Sequence, residues 1–291
     1  MENVQRRRSG DFVVSEIELQ TKSRTLSEHS TPPLRLTVFG SGTAMGVPKL
    51  CCRCRVCRSD DPHDKRTRAS LLLSRAGRNI VIDTTPDFRM QALRAGLNRL
   101  DAVVFTHGHA DHILGFNDLG PLTMLPESLL PVYASAETLA ILRRTFAYVF
   151  DNTPTDRTIP QVSLHAIDGP FDLFGTQFIP VPALHGDMEV LGFRFGRAAY
   201  LTDFHSISEP SKALLVGLDD LIVEALREKP HPKHQTLEQA LALVSELRPR
   251  RAWFTHLGHK LPQEETNRQL RSRGFPHVQL AYDGLSFEVR Q

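Results

Sequence analysis

Six consecutive residues, His107-Gly108-His109-Ala110-Asp111-His112, carry three imidazoles and one carboxylate. A packed helix or strand does not hold four such groups at that spacing, because burying them unpaired is costly. Imidazole nitrogens and carboxylate oxygens are the donors a borderline divalent ion prefers. A catalytic zinc site takes about three protein ligands and keeps a position for water. Four donors in one loop therefore imply two ions sharing it. An apolar run, "VVFT", leads into the loop. Asp111 and His112 are expected to open a helix that continues through "ILGFNDL", so the loop is braced on both sides. Further donors must come from elsewhere, and three stand where apolar runs stop: His185 in "VPALHGD", Asp203 in "AYLTDF" and His256 in "WFTHLGH". Singly, each reads as an ordinary loop residue; as a set they supply what the first motif lacks.

The second chemical feature is "CCRCRVC", which places all four cysteines of the chain between positions 51 and 57. Disulfides between thiols so close would close only very small loops and constrain the unfolded chain weakly. Metal binding is the better explanation. Arg53, Arg55 and Arg58 leave a second reading open, in which lowered thiol pKa values make a redox switch.

These donors need elements to carry them. From Leu34 the chain alternates as short β-type runs: "LRLTVFGSG", "ASLLLSRAG", "NIVIDTT", "LDAVVFTH", "LPVYAS", "FIPVPALH", "LGFRFG", "AAYLTDF", "LDDLIVEAL", "RAWFTHLGH" and "LAYDGLSFEVRQ". Helix-like segments lie between them, including "PDFRMQALRAGL", "ILGFNDLGPL", "SAETLAILRRTFAYVF" and "TLEQALALVSEL", the last with a capping threonine. Strands adjoin early and late without a regular β-helix-β alternation. An α/β sandwich of two sheets with outer helices therefore fits better than a doubly wound sheet.

At 291 residues and 41% hydrophobic composition the chain can bury a real core, and a net charge of +2 gives no strongly basic field for nucleic acid. No apolar run approaches the roughly 18 residues of a membrane helix, and the start lacks a secretory pattern. A cytoplasmic protein without membrane or nucleic-acid partners is expected, and a homodimer is compatible with the sequence. Residues 1–33 are polar, contain "RRR" and end in prolines. They read as a disordered tail ahead of one domain over 34–291.

The H-x-H-x-D-H pattern in "HGHADH", followed in order by a single His, Asp and His, resembles the metallo-β-lactamase superfamily. The resemblance runs from Leu34 to the end. It implies a four-layer αββα sandwich with metals at one edge between the sheets. His107, His109 and His185 would hold one ion; Asp111, His112 and His256 the other; Asp203 would bridge both. Asp83, after "NIVI", would organise the site from behind; its plain alternative is a turn residue. Two divalent ions facing about two ligand carboxylates keep positive charge in excess, lowering the pKa of a shared water toward ~7 and leaving a bridging hydroxide as nucleophile. Zinc and manganese both suit these donors.

"FGSGTAMGVPKLCCRCRVC" with "DPHDKRTRASLLL" narrows the resemblance to the PhnP-like phosphodiesterases. In that subgroup a C-x-C-x-x-C loop and a later histidine hold a structural zinc, which implies Cys52, Cys54, Cys57 and His259. Re-registering the loop would bring Cys51 in for Cys52. The subgroup also implies that His234, in "PHPKHQTLEQAL", delivers the proton to the leaving group beside the catalytic Asp111; His231 competes for the role. The glycines of "GSGTAMG" lack the ending of a P-loop and are expected to form a turn near the metal edge. The function implied is a dinuclear phosphodiesterase acting on small, cyclic phosphate esters. Rivals are an RNA-processing nuclease or a thioester or lactam hydrolase of the same fold, and, outside enzymes, a zinc-binding interaction module.

Overall fold

The structure, a computed structural model, describes residues 32–124, 129–150 and 159–289. The expected tail falls outside these residues but for its last two positions. Fourteen strands follow in the described chain: β1 (Leu34–Gly40), β2 (Ser70–Arg75), β3 (Arg78–Ile82), β4 (Ala102–Val104), β5 (Leu130–Ala134), β6 (Val162–Ala166), β7 (Phe171–Leu173), β8 (Thr176–His185), β9 (Met188–Phe195), β10 (Ala198–Leu201), β11 (Asp220–Glu224), β12 (Arg251–Thr255), β13 (Val278–Leu280) and β14 (Ser286–Val289). They form two seven-stranded sheets, ordered β14-β1-β2-β3-β4-β5-β6 and β13-β12-β11-β10-β9-β8-β7.

Period-two alternation sorts their side chains into separate cores. Leu71, Leu73, Ile80, Ile82, Ala102 and Val104 face Phe193, Phe195, Tyr200 and Ile222 between the sheets. The alternate residues Leu72, Val81 and Val103 pack outward against Phe88, Leu139 and Leu142. On the other side Ala199, Leu201, Leu221 and Val223 pack against Leu237, Leu241, Val244 and Leu270. Three apolar interfaces separate four layers, giving the expected αββα sandwich.

Each sheet is antiparallel on one half and parallel on the other: β3 to β6 run parallel, as do β10 to β13. Parallel strands end on the same edge, so residues that follow β3, β4, β10, β11 and β12 are delivered together. The glycine-rich turn joins that edge as expected: the Thr43 amide donates to the Leu257 carbonyl at 3.2 Å, and the Leu257 amide donates to Ser41 at 2.8 Å.

The helix expected to continue from Asp111 is instead broken. A short helix, Ala110–Ile113, stops, and separate turns follow at Phe116–Leu119 and Gly120–Thr123. Gly115 makes the break, since its amide donates to the Thr84 carbonyl at 2.9 Å and a Cβ there would lie 2.0 Å from the Thr85 carbonyl oxygen. "SAETLAILRRTFAYVF" likewise divides into Ala136–Thr145 and Ala147–Phe150. Strands β6 and β7 and the helix Gln263–Ser272 escaped the sequence pattern. β6 is a half-exposed edge strand, β7 only three residues long, and the helix "QEETNRQLRS" shows one large apolar residue, Leu270.

Candidate metal centre

The donors sit at strand ends. His107 follows β4, His109 caps the short helix carrying Asp111 and His112, His185 ends β8, Asp203 follows β10 and His256 follows β12. Asp83, Asp203 and His256 all adopt left-handed backbone, with φ of 66°, 55° and 55°. A non-glycine residue pays about 1–3 kcal/mol for such a conformation. Three of them at one edge mark where packing overrules local preference to aim side chains.

Four imidazoles are held by the ring nitrogen that does not face the site. His112 Nδ1 donates to Asp83 Oδ2 at 2.7 Å. His256 Nδ1 donates to Glu224 Oε1 at 3.0 Å. His185 Nδ1 donates to the Lys233 carbonyl at 2.9 Å. His107 Nδ1 lies 3.0 Å from Thr106 Oγ1, which itself donates to Asp83 Oδ2 at 2.7 Å. Such partners fix ring orientation and tautomer, and leave Nε2 for the centre. Asp83 thus organises the loop, as the resemblance implied, by accepting from the Thr106 amide, the Thr106 hydroxyl and His112.

Inside the ring of donors, His112 Nε2 lies 3.3 Å from Asp111 Oδ2 and 3.4 Å from Asp203 Oδ1, and His256 Nε2 lies 3.1 Å from the same Asp203 oxygen. Both Nε2 atoms are buried and make no hydrogen bond. Tetrahedral coordination with bonds near 2.0–2.2 Å separates ligand atoms by roughly 3.3–3.5 Å. The four donors of Asp111, His112, Asp203 and His256 lie within 4.8 Å of one another, as do those of His185, Asp203 and His234. On the latter side His107 Nε2 is 3.0 Å from His109 Nδ1, and the His109 and His185 rings are 5.1 Å apart. Asp203 belongs to both groups. The Asp111, His112, Asp203 and His256 group fits a divalent cation, Asp203 is shared with the His185 side, and His107 and His109 stand outside both groups.

Charge supports the same fit. Burial keeps His107 and His109 neutral, and lowers His185 to about 4. Burial should also discharge His112 and His256, yet Asp203 and the other carboxylates outweigh it: His112 is pushed well above the usual imidazole range and His256 to about 9. Asp203 moves the opposite way: burial is overcome by His256 and His112, which hold its carboxyl well below the usual range.

His234 lies at the rim, its side chain 13% exposed. Its ring is 4.6 Å from that of His185 and 5.0 Å from that of His256. Its Nδ1 donates to Glu224 Oε1 at 2.5 Å, so one carboxylate oxygen orients both His234 and His256. The Phe204 amide holds the other oxygen at 2.7 Å. Sequence reasoning missed Glu224. Its signal was a lone acid closing the apolar strand "LIVE". His231 stands behind, its ring 4.7 Å from that of His234.

The cysteine loop forms a second centre. Sγ of Cys52, Cys54 and Cys57 lie 3.2, 3.4 and 3.6 Å from His259 Nδ1. A tetrahedral zinc with bonds of about 2.3 Å to sulfur and 2.05 Å to nitrogen sets ligands roughly 3.6 Å apart. Cys52 belongs to this group, and Cys51 is exposed and outside it. For Cys54, burial is outweighed by hydrogen bonds from Cys57 and His259, and its thiol falls to about 6. Burial, with the neighbouring thiols, pushes Cys57 to about 11. The buried Arg66 ties the loop between the two centres down, donating to the carbonyls of Gly258 at 3.3 Å and Leu261 at 2.8 Å.

Residues 78–257 match the family model described as a β-lactamase superfamily domain, more than half of the chain. The chain belongs to the metallo-β-lactamase superfamily. Within it the chain is PhnP-like. A solved diphosphatase from the PhnP family is 48% identical, with a TM-score of 0.82, over 88% of this chain and 98% of that one. Zinc-bound PqqB from Methylobacterium extorquens, 20% identical with a TM-score of 0.69 over 88% of this chain and all of that one, shares the fold. An octanoyltransferase of Porphyromonas gingivalis is 40% identical over 256 residues, 87% of this chain but 51% of that protein. The chain spans about half the length of the curated relatives it matches first.

Proposed function

We infer that the chain is a dinuclear phosphodiesterase acting on small, cyclic phosphate esters. The observation that carries this reading is His234, held on Glu224 beside a donor cluster fit for two cations. An alkoxide leaving group needs a proton, and a positioned imidazole can deliver it. His107, His109 and His185 would hold one ion, Asp111, His112 and His256 the other, and Asp203 both; Cys52, Cys54, Cys57 and His259 would hold a structural zinc. When bound, the catalytic pair supplies Lewis acidity toward phosphoryl oxygens and makes water acidic enough to ionise near neutral pH.

The chain's own residues do the rest. Asp111 is kept ionised by His112 despite burial. At 16% exposure it can accept a hydrogen bond from the attacking water and orient it. Glu224 fixes the His234 tautomer by taking Nδ1–H, so the protonated ring presents Nε2–H to the leaving oxygen. After transfer the same ring is a neutral tautomer still on Glu224.

A second reading, cleavage of a phosphoanhydride, is favoured by the likeness to a diphosphatase. The octanoyltransferase name would point to acyl chemistry, but this chain matches only half of that protein. A panel containing ribose and nucleotide cyclic phosphates, linear nucleoside diphosphates, an RNA, an acyl thioester and a lactam, run on metal-analysed protein, decides. Cyclic diesters turned over fastest support the proposal; a thioester, lactam or RNA preferred by tenfold or more would replace it. The substrate is read as a small metabolite, and the free thiols suit a cytoplasmic setting. Among the described residues no helix is long and apolar enough to cross a membrane.

A further inference from the structure

The donors of the deep cluster come from both sheets. His107, His109, Asp111 and His112 follow β4 in the first, whereas His185, Asp203 and His256 end or follow β8, β10 and β12 in the second. The group Asp111, His112, Asp203 and His256 takes two donors from each. The spacing of the sheets at this edge therefore sets the spacing of the ligands. Backbone hydrogen bonds cross between the sheets there at two places. The Leu191 amide of β9 donates to the carbonyl of Thr106, next to His107, at 3.0 Å. The Leu257 amide, next to His256, donates to the Ser41 carbonyl at 2.8 Å, and the Thr43 amide donates back to the Leu257 carbonyl at 3.2 Å. The second crossing hangs on residues 41–46, a turn outside any named strand or helix.

Asp283, three residues ahead of β14, holds that turn. Its Oδ1 accepts from the Ser41 amide at 2.9 Å and the Ser41 hydroxyl at 2.8 Å. Its Oδ2 accepts from the Thr67 amide at 2.9 Å, the Thr67 hydroxyl at 2.5 Å and the Arg94 guanidinium at 3.1 Å. The Thr67 carbonyl in turn accepts from the Gly42 amide at 2.7 Å, so Ser41 is gripped from both sides. Five donors converge on one carboxylate whose side chain is 7% exposed. Hydrogen bonds to an ionised acceptor are the strong ones.

On the two-cation reading above, we propose that Asp283 is a positioning residue: through Ser41 and Leu257 it sets the sheet spacing at the metal edge, and with it the separation of His256 from the donors that follow β4. Asp101 is the matched control. It too is a buried carboxylate with several donors, the Asn79 amide at 2.9 Å, Arg78 at 2.7 Å and Arg99 at 2.8 Å, but it stands at the opposite end of β4 from His107.

Asp283→Asn keeps the shape of the side chain but turns an amide N–H group toward one of the two donor pairs. Asp101→Asn does the same away from the metal edge. Both should lower Tm. In metal-free protein, Asp283→Asn alone should speed hydrogen exchange at the Leu257 amide, by about tenfold, while the Leu191 amide stays protected. It should also weaken zinc binding at the deep cluster by about tenfold, the low end for partners behind a ligand, while the cysteine-bound zinc stays. Ser41→Ala removes one hydroxyl contact; it should move both quantities the same way by about two- to threefold, and it carries the test if Asp283→Asn does not fold. Unchanged exchange at Leu257, faster exchange with unchanged zinc affinity, or an equal loss of affinity in Asp101→Asn overturns the proposal. If wild type takes up fewer than two ions at the deep cluster, the two-cation reading fails on its own. Exchange at Leu257 then tests Asp283 separately: faster exchange in Asp283→Asn supports its hold on the crossing, and unchanged exchange overturns it.

Discussion

The two donor clusters meet in one short segment, His256 to His259, yet are built on opposite plans. The deep cluster draws its donors from positions spread between 107 and 256, at strand ends and on the loop and short helix after β4, four of its rings clamped by Thr106, Asp83, Glu224 and the Lys233 carbonyl. The cysteine cluster draws three of its four donors from one loop whose own buried core is Val47, Val56 and Cys57. In the first, two packed sheets have already paid the ordering entropy, so the geometry belongs to the fold. In the second, so small a core gives the loop little order of its own, and a bound ion would add to what Arg66 supplies. Removing cations should therefore leave the deep cluster standing but charged, and should loosen the cysteine loop.

The largest effect expected is on chemistry without loss of fold. His109→Ala removes a half-buried donor from the deep cluster and should reduce hydrolysis of a model phosphodiester by more than about 100-fold, beyond the 10–100-fold typical of changes behind a ligand. Its far-UV spectrum and Tm should stay near those of wild type. Unchanged turnover would detach the cluster from catalysis.

Asp83→Asn is a sharper probe of the bracing. Asparagine tolerates the left-handed backbone at this position, so the chain path is kept. However, an amide cannot accept at both ends from the Thr106 amide, the Thr106 hydroxyl and His112. Metal affinity at the deep cluster should fall about 10–100-fold while the cysteine-bound zinc stays. Equal loss at both centres would show a general unfolding, and the contrast between them would fail.

Acidification separates the clusters more gently. In the metal-free protein His256 is raised to about 9, so it contributes stability that is full below the ordinary imidazole range and is lost as pH rises through about 9. Metal must displace that proton and the one on His112. Apparent affinity at the deep cluster should therefore rise with pH between 6 and 9, by about tenfold per unit for each proton displaced. Titration calorimetry in buffers of different ionisation enthalpy counts the protons; release of none would mean these histidines are neutral before loading.

The contrast also explains what was legible in the sequence. "HGHADH" and "CCRCRVC" stood out because donors adjacent in sequence violate the composition of any packed element. His185, Asp203 and His256 were found because apolar runs stop at them; for Asp203 and His256 the parallel half of the sheet ends its strands on one edge, whereas His185 ends the antiparallel β8. Glu224 was missed because, although it closes β11, its function comes from Phe204, His234 and His256, which the chain brings to it from three other places. Arg66, fully buried and gripping the carbonyls around His259, had no sequence signal at all in a run of basic residues. Local propensity also hid the break at Gly115, which depends on the Thr85 carbonyl packed against it.

Cys54→Ser should remove about one zinc per chain and lower Tm by several degrees, at roughly 2–4 °C per kcal/mol lost for a domain of this class. Catalytic metal content should hold, because Arg66 and the Leu226 carbonyl also secure the segment after His256.

The smallest effect is expected one residue outside the cluster. Cys51 is exposed, adopts φ of 61° and lies apart from the sulfurs that converge on His259. Cys51→Ser should leave zinc stoichiometry unchanged and stability within about 0.5 kcal/mol, whereas Cys52→Ser should reproduce the loss seen with Cys54→Ser. Zinc analysis of the pair reads the register directly. If Cys51→Ser lost the ion and Cys52→Ser kept it, the loop would have to shift by one residue, and the hydrogen bond from the Cys52 amide to the Lys49 carbonyl, at 3.1 Å, would have to break with it.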